Sequence, residues 1–218
     1  MLKENTMDDN TIKFLGITVA CVVIFGFGMS YLKKKRYANL IQLLQAGNFD
    51  EFMKMVDGRF TRFLFPGYNL EYLKLNALII EGNKRKINDQ FDKMFKFRLT
   101  KKQDEDLSMK GFNYYLGMED KHRTKELLER ILKFNNERMK EEVQMMYDIF
   151  MAKSFSYIET MEEQLSEQNE EQRSITEYLL SVQYENAGNK EKAKEYEELY
   201  KKDTEIAQKK FEEAHQKK

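Results

Sequence analysis

One spacing constrains this chain more than any other feature. Gly47-Asn48, Gly82-Asn83 and Gly117 follow one another at intervals of 35 residues, and Ala152-Lys153 and Gly188-Asn189 extend the series at 35 and 36. A Gly or Asn just past a helix accepts the left-handed backbone that ends it, so each position predicts a hairpin turn. The stretches between them carry apolar residues every three or four positions, the period of a helix with one buried face. Tyr37, Leu40, Ile41 and Leu44 form the first such stripe, with Phe49, Phe52, Met53, Val56 and Phe60 on its partner. Ile87, Phe91, Met94 and Phe95 serve the second hairpin, and Leu127, Leu128, Ile131 and Leu132 the third. The fourth has Met139, Val143, Met146 and Phe150 facing Ile158, Met161 and Leu165. Ile175, Leu179 and Val182, then Ala193, Tyr196 and Tyr200, make the fifth. No comparable stretch alternates with period two, and a single Pro among 218 residues leaves long helices uninterrupted. The expected fold class is all-α.

Ahead of the first hairpin lies a different kind of segment. Residues 14–32, FLGITVACVVIFGFGMSYL, contain no formal charge. As a helix they extend about 28 Å, enough to cross a hydrocarbon core of roughly 30 Å. Lys33, Lys34, Lys35 and Arg36 follow at once, while residues 1–13 form a short tail of slightly acidic balance. That asymmetry predicts a single-pass membrane anchor with the C-terminal side in the cytoplasm, and Tyr31 stands where an interfacial aromatic would sit. A cleavable signal peptide needs the positive charge in front and a shorter apolar stretch. A lipoprotein signal at Cys21 would have Thr18 in place of the usual Leu and would leave another apolar run behind the modified residue. A segment apolar all round suits lipid better than a core of this size. Gly16 and Ala20, and Gly26 and Ser30, are spaced four apart, which permits close approach of two such helices and hence a homodimer through the anchor.

A period of 34 to 36 with helix, turn and helix in each unit is the pattern of a helical solenoid. The last unit, from Tyr178 to Tyr196, resembles the tetratricopeptide repeat family. Leu180 and Ser181 occupy that family's Leu-Gly pair, Tyr184 its Tyr and Ala193 its small residue in the second helix. The other units depart from it: none has the opening Trp, Phe52 and Ile87 stand where the small residue belongs, and Pro66 is the only Pro near a unit end. The third unit also needs about two extra residues around Glu119–Lys121. The resemblance implies a right-handed superhelix of about five helix-turn-helix hairpins over residues 37–202, with a charged helical extension over 203–218. It also implies that the first helices line a concave groove, with Tyr72, Asn76, Tyr114, Tyr115 and Tyr178 as candidate partner contacts. An ordinary helical bundle with hairpins of this length is the competing architecture.

Residues suited to catalysis are scarce. Cys21 is the only cysteine and lies in the predicted span, and the two histidines, His122 and His215, sit in strongly charged surroundings. Zinc-protease, phosphate-loop and calcium-loop patterns are missing, so no metal, cofactor or enzymatic activity is expected. Charges balance at 37 basic and 37 acidic residues, which points to no nucleic acid. Locally they do not balance. Residues 84–102 carry eight basic side chains against two acidic ones, and residues 159–177 carry seven Glu against Arg173. The basic segment could face an anionic leaflet or an acidic partner, or simply be a solvated helix. The expected function is a membrane-anchored scaffold or adaptor that binds a protein or peptide through its helical array. The alternative is an accessory subunit of a membrane complex for secretion, envelope assembly or division, in which the anchor itself makes specific contacts.

Overall fold

A computed structural model describes the backbone over residues 9–216 and the side chains over residues 25–209, residue 171 excepted, and of Glu212. The chain is all-α, with no strand among the described residues. It divides into two compact units, Met1–Arg98 and Leu99–Lys218.

In the first unit a long helix α1 (Asp9–Gln45) turns at Gly47 into α2 (Phe49–Asp57). Gly47 has φ +69° and Asn48 caps α2, its side chain accepting from the Glu51 N–H. The predicted stripe from Phe49 to Phe60 does not run through. At Gly58 the backbone becomes extended, and a Cβ added there would meet the Met55 carbonyl oxygen at 3.2 Å. A separate short helix, α3 (Arg59–Leu64), follows. Its end has a local cause: Phe65 precedes Pro66 and is pushed to extended backbone at φ −124°, ψ 145°. Phe60, expected on the buried face, is therefore 47 % exposed. The hairpin of α4 (Gly67–Glu81) and α5 (Lys84–Phe95) closes the unit, with Gly82 at φ +78° and Asn83 as cap. Leu40, Phe52, Val56, Leu70 and Ala77 from α1, α2 and α4 make one core. Burying a side chain such as Phe52 is worth about 1.5–3 kcal/mol.

The second unit begins with α6 (Lys101–Gly117) and α7 (Lys121–Ile131), continues through α8 (Glu137–Phe150) and α9 (Ile158–Gln164) with a 3-10 turn at Leu165–Glu167, and ends with α10 (Glu170–Asn186) and α11 (Lys190–Gln216). Helix α8 packs on both α6 and α7, and α10 packs on α8, α9 and α11. Packing thus passes between hairpins that follow one another in the chain. The fourth hairpin is looser than the period predicts: α9 is only seven residues long, and both α8 and α9 pack against α10. The seven-residue link between them is pinned by Asn186, whose side-chain amide donates to the carbonyls of Ile149 (2.9 Å) and Ser154 (3.1 Å).

Left-handed backbone among the described residues marks the hairpin turns: Gly47, Gly82, Glu119, Lys153 and Gly188, at spacings of 35, 37, 34 and 35. Gly117, predicted as the third turn, is instead the last residue of α6, and the turn falls two residues later on Glu119. Asn48, Asn83, Asp120 and Asn189 each follow the left-handed residue and cap the next helix. Other corrections concern faces. Tyr37, Leu132 and Ile175, predicted inward, are 47, 38 and 57 % exposed. On α10 Leu179 is buried and Val182 packs on the same core as predicted, but the buried face also takes in Ser174, Thr176, Glu177 and Gln183, which apolar periodicity does not mark.

Among the described residues no helix is long and apolar enough to cross a membrane. Of the predicted span 14–32, the side chains up to residue 24 lie outside the described residues, as do those of Gly16, Ala20 and Cys21. The backbone of α1 is continuous helix through that segment and on into the first hairpin.

Candidate functional site

The site that best fits a partner is a groove across the first helices of the second unit's three hairpins. It has a volume of about 510 Å3 and is lined by Asn113 and Leu116 from α6, Met146 and Phe150 from α8, and Tyr178 from α10. Glu119, Glu142 and Lys153 supply charge at its margins. Tyr178 is held by its neighbours, with its ring centroid 6.1 Å from Phe150 and 5.3 Å from Tyr200, yet 41 % of it stays exposed. Half-buried Met146 and Phe150 and exposed Asn113 complete an apolar floor with polar edges. Such a surface suits a peptide anchored by an apolar side chain, because aromatic and Met groups give contact area at low entropic cost.

The wall of this groove is fixed from behind. Tyr157 donates its hydroxyl proton to Asp148 Oδ2 at 2.7 Å, and burial together with that bond pushes the phenol up to about 12. The Tyr157 N–H donates to Gln183 Oε1 at 3.0 Å, tying the link to α10. Farther along, Glu162 accepts from the hydroxyls of Tyr184 (2.6 Å) and Tyr196 (2.8 Å), and these two rings stack with centroids 5.6 Å apart. The Tyr184 bond leads in holding the Glu162 carboxyl below its ordinary range; burial opposes it, and Tyr196 and Lys192 help.

The candidate contacts do not all gather here. Tyr178 lines the groove, and Tyr114 and Tyr115 lie on α6 next to its lining residues. Tyr115 is only 2 % exposed, with the Arg123 guanidinium 5.4 Å above its ring, so it acts as a core side chain. Tyr114 is half-buried, edge-on to Tyr115 at 5.1 Å, and burial raises its phenol. Tyr72 and Asn76 are half-buried on α4 in the other unit, Tyr72 in ring contact with Tyr68 at 5.9 Å. Met146 and Phe150 pack against the core as their stripe predicts and also line the groove; a stripe at helical spacing carries no mark of which residues are left at its edge.

Lys33, Lys34 and Lys35 are exposed, whereas Arg36 turns inward to α3. Part of the basic 84–102 segment is neutralised: Lys86 pairs with Glu81 at 3.0 Å and Lys93 with Glu71 at 2.7 Å. Glu71 also accepts from Gln90 at 2.8 Å; burial alone would raise its carboxyl, and these bonds with Lys74 and Lys93 bring it below the ordinary value. His122 is exposed, 3.8 Å from Glu126, and His215 has no described side chain. No cluster of three or more His, Cys, Asp or Glu able to hold a metal occurs among the described residues.

The fold defines an all-α protein of helical hairpins, with an open apolar groove in its second unit. Compared with models of protein families, with curated proteins and with solved structures, the chain matches none of them.

Proposed function

We propose that this protein is a non-enzymatic, membrane-anchored scaffold that holds a segment of a partner protein in the groove across α6, α8 and α10. The observation that carries this reading is the convergence of exposed or half-exposed apolar side chains, Tyr178, Phe150 and Met146, from helices of successive hairpins onto one open surface. A degenerate tetratricopeptide-like array fits the sequential packing of α8 on α6 and α7 and of α10 on α8 and α9. The anchor is residues 14–32, supported by their length, their lack of charge and the basic run after them. The hairpins then lie in the cytoplasm.

The test uses the full chain solubilised from membranes. Asn113→Arg and Tyr178→Asp alter the exposed edge of the groove, while Lys125→Glu changes an exposed residue of α7 that is not part of it. A partner retained by the wild type and by Lys125→Glu, and lost from both groove variants, is the expected outcome. Equal retention by all three variants would remove the groove from the function. Exchanging residues 12–32 for an unrelated span separates this reading from that of a complex subunit, since a scaffold keeps its partner after the exchange.

A further inference from the structure

Helix α3 was not foreseen from the sequence, and its position gives it a use. It consists of Arg59-Phe60-Thr61-Arg62-Phe63-Leu64, of which Thr61 and Leu64 are buried. The remainder faces outward: Phe63 is 72 % exposed, Phe60 47 %, and the Arg62 side chain 62 %. The two aromatic rings are costly to leave in water, and apolar side chains beside cationic ones are what helices lying in a membrane interface present.

What fixes the location of α3 is Arg36. Its Nε donates to Thr61 Oγ1 at 2.8 Å, its Nη2 reaches the Met55 carbonyl at 3.5 Å, and its guanidinium lies 5.9 Å from the centre of the Phe60 ring. Arg36 is four residues beyond Leu32, the last residue of the proposed span, on the same unbroken helix. Four residues of helix rise about 6 Å. The headgroup layer on each side of a bilayer is roughly 5–8 Å thick. A side chain bonded to Arg36 is therefore held within that layer whenever residues 14–32 span the membrane. Exposed Lys33, Lys34 and Lys35 stand beside it on α1, and Arg59 and Arg62 on α3. Asp57 accepts from Arg62 at 2.7 Å and from Lys74 at 2.6 Å, so this nearby acid is already shared between two cations.

We infer that α3 is a second membrane contact, a short interfacial foot whose Phe60 and Phe63 enter the headgroup boundary of an anionic bilayer while Arg59, Arg62 and Lys33–Lys35 bind its lipid phosphates. This inference rests on the membrane-anchor reading above. It gives the anchor a consequence beyond tethering: α1 alone lets the first unit tilt toward the bilayer on any side, and a foot on one side of α1 fixes which face of that unit looks at the lipid. Cation charge draws the foot to anionic headgroups and the rings supply the apolar burial, the two-signal arrangement that surface helices use.

The chain contains no Trp, so a single introduced Trp reports its own depth. The experiment places full-length Phe63→Trp, Phe25→Trp and Ile80→Trp in separate nanodiscs whose lipids are brominated near the headgroup end of the acyl chain for Phe63→Trp and Ile80→Trp, and near its terminal methyl for Phe25→Trp, which the span puts close to the bilayer midplane. Discs of phosphatidylglycerol with phosphatidylcholine are compared with discs of phosphatidylcholine alone. Phe25 lies in the proposed span, and Ile80 is 61 % exposed, about 20 Å along α4 from the end joined to α3. In the anionic discs the Phe63→Trp protein is expected to lose about half its emission or more, with a blue shift, while Ile80→Trp keeps its emission. Quenching of Phe63→Trp should be weaker in the neutral discs. Quenching of Phe25→Trp with Phe63→Trp as bright as Ile80→Trp overturns the foot but leaves the anchor, and assigns the patch to a protein partner. Equal quenching of Phe63→Trp in both lipids overturns the anionic surface. Emission unchanged in all three variants removes the anchor and the foot with it.

Discussion

Arg36 on α1 donates to the Thr61 hydroxyl on α3 at 2.8 Å, and that hydroxyl in turn donates to the Met55 carbonyl at 2.6 Å. One charged side chain at the foot of the proposed anchor thus organises the turn between α2 and α4. Thr61 is fully buried, so removing its hydroxyl takes the acceptor from Arg36 Nε and the shortest of three donors from the Met55 carbonyl, which keeps the Gly58 N–H at 3.3 Å and Arg36 Nη2 at 3.5 Å.

Thr61→Val is expected to cost about 1–2 kcal/mol of unfolding free energy, the usual range for losing a buried hydroxyl's hydrogen bonds when one of them is to a charged group. Arg36→Ala should cost less in the Thr61→Val background than in the wild type, because the two act through one bond. Urea unfolding followed by far-ultraviolet circular dichroism of the four proteins measures that coupling, and strictly additive costs would deny it.

Leu180 and Ile175 lie on α10 at 0 % and 57 % exposure. Leu180→Ala should destabilise by about 2–5 kcal/mol through the cavity it leaves. Ile175→Ala should stay within about 0.5 kcal/mol, as exposed substitutions do. Equal effects in the same urea measurement would mean that the faces of α10 are assigned wrongly.

The left-handed turns give a pair of opposite signs. Gly188 has φ +77° with open space where a Cβ would point, so Gly188→Ala carries only the backbone strain, about 1–2 kcal/mol. Lys153 already bears that strain at φ +56°. Lys153→Gly relieves it, less about 0.5–1 kcal/mol for the freer unfolded chain, and is expected to be neutral or stabilising. Thermal unfolding of the two variants should move in opposite directions or show only Gly188→Ala falling.

Two carboxyls of the second unit respond to acid in opposite ways. The Glu162 carboxyl, accepting from Tyr184 and Tyr196, titrates below its ordinary value of 4.5. Its contribution is full above pH 4.5 and is lost as pH falls through the lower folded value. Glu177 is 4 % exposed with Oε2 unpartnered; burial and the charge of Asp203 raise its carboxyl, although Arg173 opposes them. Ionising it in the folded state is unfavourable, so it lowers stability as pH rises above 4.5. Glu162→Gln should destabilise at pH 7 and flatten the decline between pH 6 and pH 3, whereas Glu177→Gln should stabilise at pH 7. Urea midpoints across that range test both, and the reverse ranking would contradict the electrostatic assignment.

The architecture was legible where one residue type dictates one backbone state. Gly47, Gly82 and Gly188 take the left-handed region that glycine tolerates, and Asn48, Asn83 and Asn189 cap the helices that follow. Glu119 and Lys153 adopt the same backbone without any such mark, which is why the third turn is read two residues early from Gly117. Helix α3 was hidden because Phe60 continues the α2 stripe in register. Only the extended backbone at Gly58, with the Met55 carbonyl close by, moves it to the surface. Of the candidate contacts, Tyr178 faces the groove and Tyr115 the core, and their sequence contexts do not distinguish them. The difference comes from what packs above each ring: Arg123 covers Tyr115, while Phe150 and Tyr200 flank Tyr178 and leave it open.

The most direct test of the scaffold is site-specific photo-crosslinking in intact membranes, with the reactive residue placed at Asn113 in the groove or at Lys125 on α7. The account predicts a discrete adduct with a partner polypeptide from Asn113 and none from Lys125. Adducts from neither position, or the same adducts from both, would contradict a groove built to hold a partner.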